Sequence, residues 1–147
     1  MSKKRIAYKV VHKDYRWGSN LTIYASEGNK KPQAIQQLLD ALPSCKPYFP
    51  TYIKGATITA VPGSVGILCF ESEKHCHNFM FKEDITDCCS IIKVRLIGRI
   101  NKNVRLVFGA GSHPMHILNI QKEGNDPLYF MNPPTGSIAV PAVEVLE

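Results

Sequence analysis

Apolar positions along the chain recur mostly with a period of two. In residues 5–13 (RIAYKVVHK), Ile6, Tyr8 and Val10 alternate with Ala7, Lys9 and Val11, the pattern of a β-strand. After a polar turn at 14–20, residues 21–25 (LTIYA) are rich in β-formers and predict a second strand. Residues 56–61 and 66–70 predict two more, joined by the turn Pro62-Gly63-Ser64. Residues 90–100 (SIIKVRLIGRI) form a long strand pattern. Ile92, Val94 and Leu96 share one face, while Lys93, Arg95 and Arg99 share the other. Asn101-Lys102-Asn103 has the composition of a hairpin turn into a strand over 104–108. Pro141 ends one apolar run, and residues 142–146 predict the last strand.

Helical signals are fewer. Pro32 suits a first helical turn, Ile35, Leu38, Leu39 and Leu42 share one face, and Pro43 stops the pattern. Ser72 is placed to cap a short helix through Phe81 that turns Cys76, Phe79 and Met80 to the core. Residues 112–122 fit a helix or a strand. Irregular alternation of strands and helices excludes a doubly wound parallel sheet. It predicts one α+β domain over 1–147, with a largely antiparallel twisted sheet and two or three short helices.

Composition adds limits. No apolar run is long enough to span a membrane, and no apolar signal core follows the charged start Met1-Ser2-Lys3-Lys4-Arg5. Five cysteines without framework spacing read as reduced thiols of a cytoplasmic protein. Charge changes the picture more, because it is segregated. Residues 1–31 carry net +6, 32–92 net −2, 93–122 net +6 with no acid at all, and 123–147 net −4. Either the basic blocks await an anionic ligand, or each faces an acidic block within a protomer or an oligomer.

The loop Asp14-Tyr15-Arg16-Trp17-Gly18-Ser19-Asn20 holds the only tryptophan. An indole can stack on a base and a guanidinium can grip phosphate, so Arg16 and Trp17 are candidate ligand contacts; a hairpin whose Trp17 covers one end of the core is the competing reading. Arg95 and Arg99, extended by Arg105 across the expected hairpin, are candidate phosphate contacts, against a plain solvated face. The turn Gly109-Ala110-Gly111-Ser112 lacks the lysine and third glycine of phosphate-binding loops. Asn132-Pro133-Pro134-Thr135 forms a rigid corner more readily than a ligand contact. Cys69, His75, Cys76, His77, Cys88 and Cys89 lack metal-ligand spacing, because adjacent residues diverge by about 100° on a helix. No metal or cofactor is implied. His12, Tyr24 and Glu144, with Glu147 after it, supply the residue types of an ADP-ribosyltransferase site, in which a carboxylate stabilises the oxocarbenium ion as nicotinamide leaves. No nucleophile elbow is present.

The succession YKVV (8–11), YIKG (52–55), PGSVGILCFES (62–72), the Cys76–Phe81 helix and KVRLIG (93–98) resembles small single-domain proteins of phages and prophages. Some of these look distantly like ADP-ribosyltransferases. Lys9 and His12 stand where the first strand of such a transferase often has Arg or His, but this chain has no Ser-Thr-Ser triplet and no Glu-x-Glu pair in its last strand. The resemblance implies an anti-defence role in the host cytoplasm. The expectation is a non-enzymatic homo-oligomer that sequesters a phosphorylated nucleotide signal, such as a cyclic ADP-ribose or a cyclic oligonucleotide, through Arg16, Trp17, Arg95, Arg99 and Arg105. The alternatives are an inhibitor that binds a host defence protein and an ADP-ribosyltransferase-like enzyme. Acidic blocks interrupt any continuous nucleic-acid track.

Overall fold

The computed structural model describes residues 5–18, 37, 40–41, 50–62, 66–104, 106–107, 130–131 and 134–147. In chain order these give β1 (Ile6–His12), β2 (Thr57–Thr59), β3 (Ile67–Phe70), α1 (Glu73–Lys82), β4 (Cys89–Ile97), β5 (Leu106–Val107), β6 (Phe130–Met131), β7 (Ser137–Val140) and β8 (Ala142–Val145). Six strands form one sheet in the order β2-β8-β4-β1-β3-β7, every neighbour antiparallel. Strands β5 and β6 pair separately. The α+β class and the antiparallel sheet match the alternation of apolar residues. The helix count does not: among the described residues there is one helix of any length, α1, rather than two or three. Of the pattern over 32–43, only Gln37, Asp40 and Ala41 are described, and these are helical and exposed. Residues 112–122 and 21–25 lie outside the described set.

One link forces the sheet to roll. β7 pairs with β3 and β8 pairs with β4, at positions four strand spacings apart. In a flat sheet that is about 19 Å. Only Pro141 separates Val140 from Ala142, so their Cα atoms lie no more than about 7.6 Å apart. The two flanks must therefore curl toward each other, and residues 137–145 run as one bent strand across the seam. Glycines permit the close approach. Gly98 (φ +93°) lies where a Cβ would come 2.8 Å from Pro141 Cγ, and Gly66 (φ +107°) where one would come 2.9 Å from the Val140 carbonyl oxygen.

The roll encloses the main core: Ala7 and Val11 from β1, Ile67 and Cys69 from β3, Ile92, Val94 and Leu96 from β4, Ile138 and Val140 from β7, and Val143 and Val145 from β8, with Tyr52 inserted. The inward parity shifts between Val140 and Val143, so the Pro141 corner adds one residue, as a β-bulge does. On the outer face α1 packs Cys76 and Met80 against Val10, Phe70 and Cys89, with Ile85 buried in the turn after it. Ser72 caps α1 by accepting the His75 N–H, and burial with neighbouring negative groups pushes the Cys76 thiol up to about 12.

The 101–103 hairpin is corrected. Gly98 turns the chain out of β4, the Asn101 backbone bonds reciprocally to Ala139 beyond β7, and β5 pairs with β6 instead of β4. β4 also ends at Ile97 rather than at residue 100, so Arg99 does not continue the row made by Lys93 and Arg95.

Candidate functional site

The best-defined feature beside β1 is the hairpin of residues 12–17. His12 N–H donates to the Trp17 carbonyl and Arg16 N–H to the His12 carbonyl, both at 2.9 Å. Arg16 adopts the left-handed region (φ 57°), which turns the chain sharply. Trp17 then bridges to Thr51, and the Tyr52 N–H donates to the Arg16 carbonyl. The indole is 4% exposed and stacks on Tyr15 at 4.6 Å between ring centroids, with His12 tilted against both rings. Trp17 thus covers the core and offers no open face to a base. The His12 Nδ1 accepts the Asp14 and Tyr15 N–H groups at 3.1 and 3.2 Å, so the ring is neutral with its proton on Nε2. Burial lowers the His12 pKa from 6.5, against the pull of Asp14.

The cations expected to hold phosphate are largely committed elsewhere. Arg16 Nε donates to the Tyr52 carbonyl at 2.6 Å, and its Nη2 to the Glu147 carbonyl. Arg95 faces Glu144 across the β4–β8 ladder and donates Nε to its carboxylate at 2.7 Å. Lys93 lies 3.5 Å from the Glu147 carboxylate and Lys102 lies 3.9 Å from Glu71. All three of these ion pairs join the basic block 93–122 to an acidic block, so Lys93, Arg95 and Lys102 have acidic partners inside the protomer. Arg99 differs: it is exposed and meets no acid among the described residues. Arg105, Ser19, Asn20, residues 109–112 and Asn132 lie outside the described set.

Of the transferase-type residues, the structure places His12 and Glu144, and it does not bring these two together. Glu144 pairs in register with Arg95, which pairs with Ile6, whereas His12 ends β1 six residues further on. At about 3.3 Å per residue the two sit roughly 20 Å apart along the strands. Glu144 is also held by Arg95, and Tyr24 lies outside the described residues. No group of three His, Cys, Asp or Glu side chains converges among the described residues as metal ligands would. No described helix is long and apolar enough to cross a membrane.

Three features went unforeseen. Lys9 points into the roll with Ala7 and Val11. Its ammonium donates to the Leu68 carbonyl at 2.7 Å and lies 4.7 Å from the Tyr52 ring centroid. Burial raises the pKa of Tyr52 and of Cys69 beside it, and the Lys9 charge opposes both shifts. The alternation of β1 had put Lys9 on the side of Ala7 and Val11 without showing that this side is the interior. A groove of about 400 Å³ runs between α1 and β4, floored by Tyr8, Met80 and Ile91 and edged by Glu73, His77 and Lys93. Finally, Tyr15 (40% exposed) and Ile53 (57% exposed) are left at the surface. The Trp17–Thr51 bridge and the Tyr52–Arg16 bond join their two segments, on which Lys13, Asp14 and Lys54 are also exposed. The signal for Ile53 was an apolar residue directly before a Lys-Gly turn.

Comparison of the chain with family models, curated proteins and solved structures gives no match.

Proposed function

We propose that this protein acts by binding rather than by catalysis, and that its partner is a protein surface carrying acidic groups around an apolar pocket. The observation that carries this reading is the exposure of Tyr15 and Ile53 on two segments joined by the Trp17–Thr51 bridge, with Lys13 and Lys54 exposed on the same segments, while Arg16, Trp17 and Arg95 serve the fold itself. Tyrosine supplies a rigid amphipathic contact of the kind that concentrates binding energy at interfaces. Lys13 and Lys54 favour an acidic counterpart and speed its approach, with Asp14 offsetting part of that charge. In the phage setting that the sequence resemblance implies, the partner is a host defence protein.

The test is a photo-crosslinking amino acid at position 53, expressed in the natural host, with position 86 as control. One discrete adduct at 53, absent at 86 and lost with Tyr15→Ser, is expected. No adduct at 53, or the same adduct from both positions, overturns the reading.

Capture of a phosphorylated nucleotide is the second reading, and Arg99 is what favours it. That guanidinium is exposed, lacks an acidic neighbour among the described residues, and stands in a segment, 93–122, with no acid. Mass spectrometry of small molecules released on denaturing the purified protein tests it. The reading requires a nucleotide that is lost with Arg99→Ala, and a protein that purifies without any nucleotide removes it.

A further inference from the structure

We infer that β2 is a self-complementary edge through which two copies of this chain pair. The ladder to β8 fixes which way each β2 residue points. Val145 N–H donates to the Ala56 carbonyl and Ala60 N–H to the Pro141 carbonyl, both on the β8 side, and Ile58 lies in register with Val143 between them. Backbone polar groups alternate sides along a strand. Thr57 and Thr59 therefore aim their N–H and C=O groups away from β8, and among the described residues nothing pairs with these four groups. The opposite flank of the sheet is treated differently, since Asn101 donates to and accepts from Ala139 at the outer side of β7.

The occupant that fits is the same edge related by a two-fold axis through Ile58. Antiparallel pairing sets Thr57 against Thr59 of the second copy, and Thr59 against its Thr57, giving four backbone hydrogen bonds without a change of register. The two Ile58 residues then meet at the non-hydrogen-bonded position, with Cα atoms about 4.5 Å apart. Ile58 is only partly buried in the protomer, so pairing also covers the remainder of its side chain. Charge permits the arrangement. No Asp, Glu, Lys, Arg or His lies between Lys54 and Glu71, and in this register Lys54 faces Pro62 of the second copy rather than another cation. Edge strands that avoid pairing commonly carry an inward charge or a proline, or are very short; Thr57-Ile58-Thr59 has no charge and no proline, and its three residues limit the pairing to these four bonds. This is an isologous contact, which closes at two copies.

The experiment is sedimentation of the full chain over a concentration series, with two variants. The wild-type chain is expected to show a reversible monomer–dimer equilibrium. Thr59→Pro removes an outward donor without breaking the β8 ladder and is expected to abolish the dimer while leaving the circular dichroism unchanged. Ile58→Cys is expected to give a disulfide-linked dimer under mild oxidation, because that Cα separation lies within disulfide range; Thr86→Cys serves as the control. A wild-type chain that stays monomeric at its solubility limit overturns the inference. So does a dimer indifferent to Thr59→Pro with no crosslink at position 58. A complex with a different chain that is lost with Thr59→Pro, without a homodimer, assigns the edge to another occupant and overturns it as well.

Discussion

The two flanks of the sheet were built under different demands. At the β7 flank the chain uses Gly66, Gly98 and Pro141 to bring Val140 and Ala142 round a corner, and closes the outside with the Asn101–Ala139 bonds. At the β2 flank three residues with exposed threonines end the sheet, and nothing among the described residues covers them. A closed flank ties stability to backbone geometry that tolerates few side chains. An open flank has little to lose in the protomer and is where new pairing can be added. The same division applies to charge. The cations of β4 are balanced by β8 and the residues after it, whereas Arg99, just past the corner, is not.

Substitutions at the closed flank should do the most harm. Gly66→Ala places a Cβ 2.9 Å from a backbone oxygen at φ +107°. It is expected to cost about 3 kcal/mol of stability in urea unfolding, and a change within error would mean that the seam relaxes freely. Asn101→Pro deletes the 2.8 Å bond to the Ala139 carbonyl and is expected to cost about 1–2 kcal/mol. Thr59→Pro, its counterpart at the open flank, should leave the protomer's stability nearly unchanged, so equal losses from the two prolines would erase the contrast. Arg95→Ala removes a pair whose side chains are 41% and 35% exposed. It is expected to cost only about 0.5 kcal/mol, and less at high salt.

The smallest effect is a slope with pH. His12 has a folded pKa below 6.5 because burial disfavours its charged form, so the unfolded chain binds its proton first on acidification. Stability from this ring is complete above about pH 6.5 and declines as pH falls through the folded value. The melting temperature should therefore fall between neutral and mildly acidic pH by more in the wild-type chain than in His12→Gln. Matching slopes would place the titration elsewhere.

Much of the sheet was legible from runs of β-forming residues, and β4 shows the period of two most clearly, with Ile92, Val94 and Leu96 buried in turn; β1, β3 and β8 break it where the outer face is also covered or the strand is short. α1 was legible because Ser72 caps it and Cys76 and Met80 recur four apart. The hairpin after β4 was misread for a physical reason. Asn-Lys-Asn has turn chemistry, but turn chemistry does not choose the partner strand, and Gly98 had already taken the chain out of the sheet. The candidate ligand residues were chosen by residue type, and type alone does not show whether a guanidinium is spent. Arg16 sits 131 residues from Glu147 in sequence, and Arg95 is 49 from Glu144. Local pattern carries no information about such partners. Lys9 shows the same limit, since alternation assigns a face and leaves open whether that face meets water.

The bent strand at 137–145 also sets a schedule. It follows the other described strands in sequence, yet it supplies a neighbour to both β3 and β4, pairing Val140 with Ile67 and Glu144 with Arg95. Throughout synthesis on the ribosome, the central strands emerge with two ladders' worth of bare backbone and an open hydrophobic trough. A chaperone that shields such surfaces has its opportunity here before residues 137–145 appear, and a chain lacking them is left with the trough permanently unroofed.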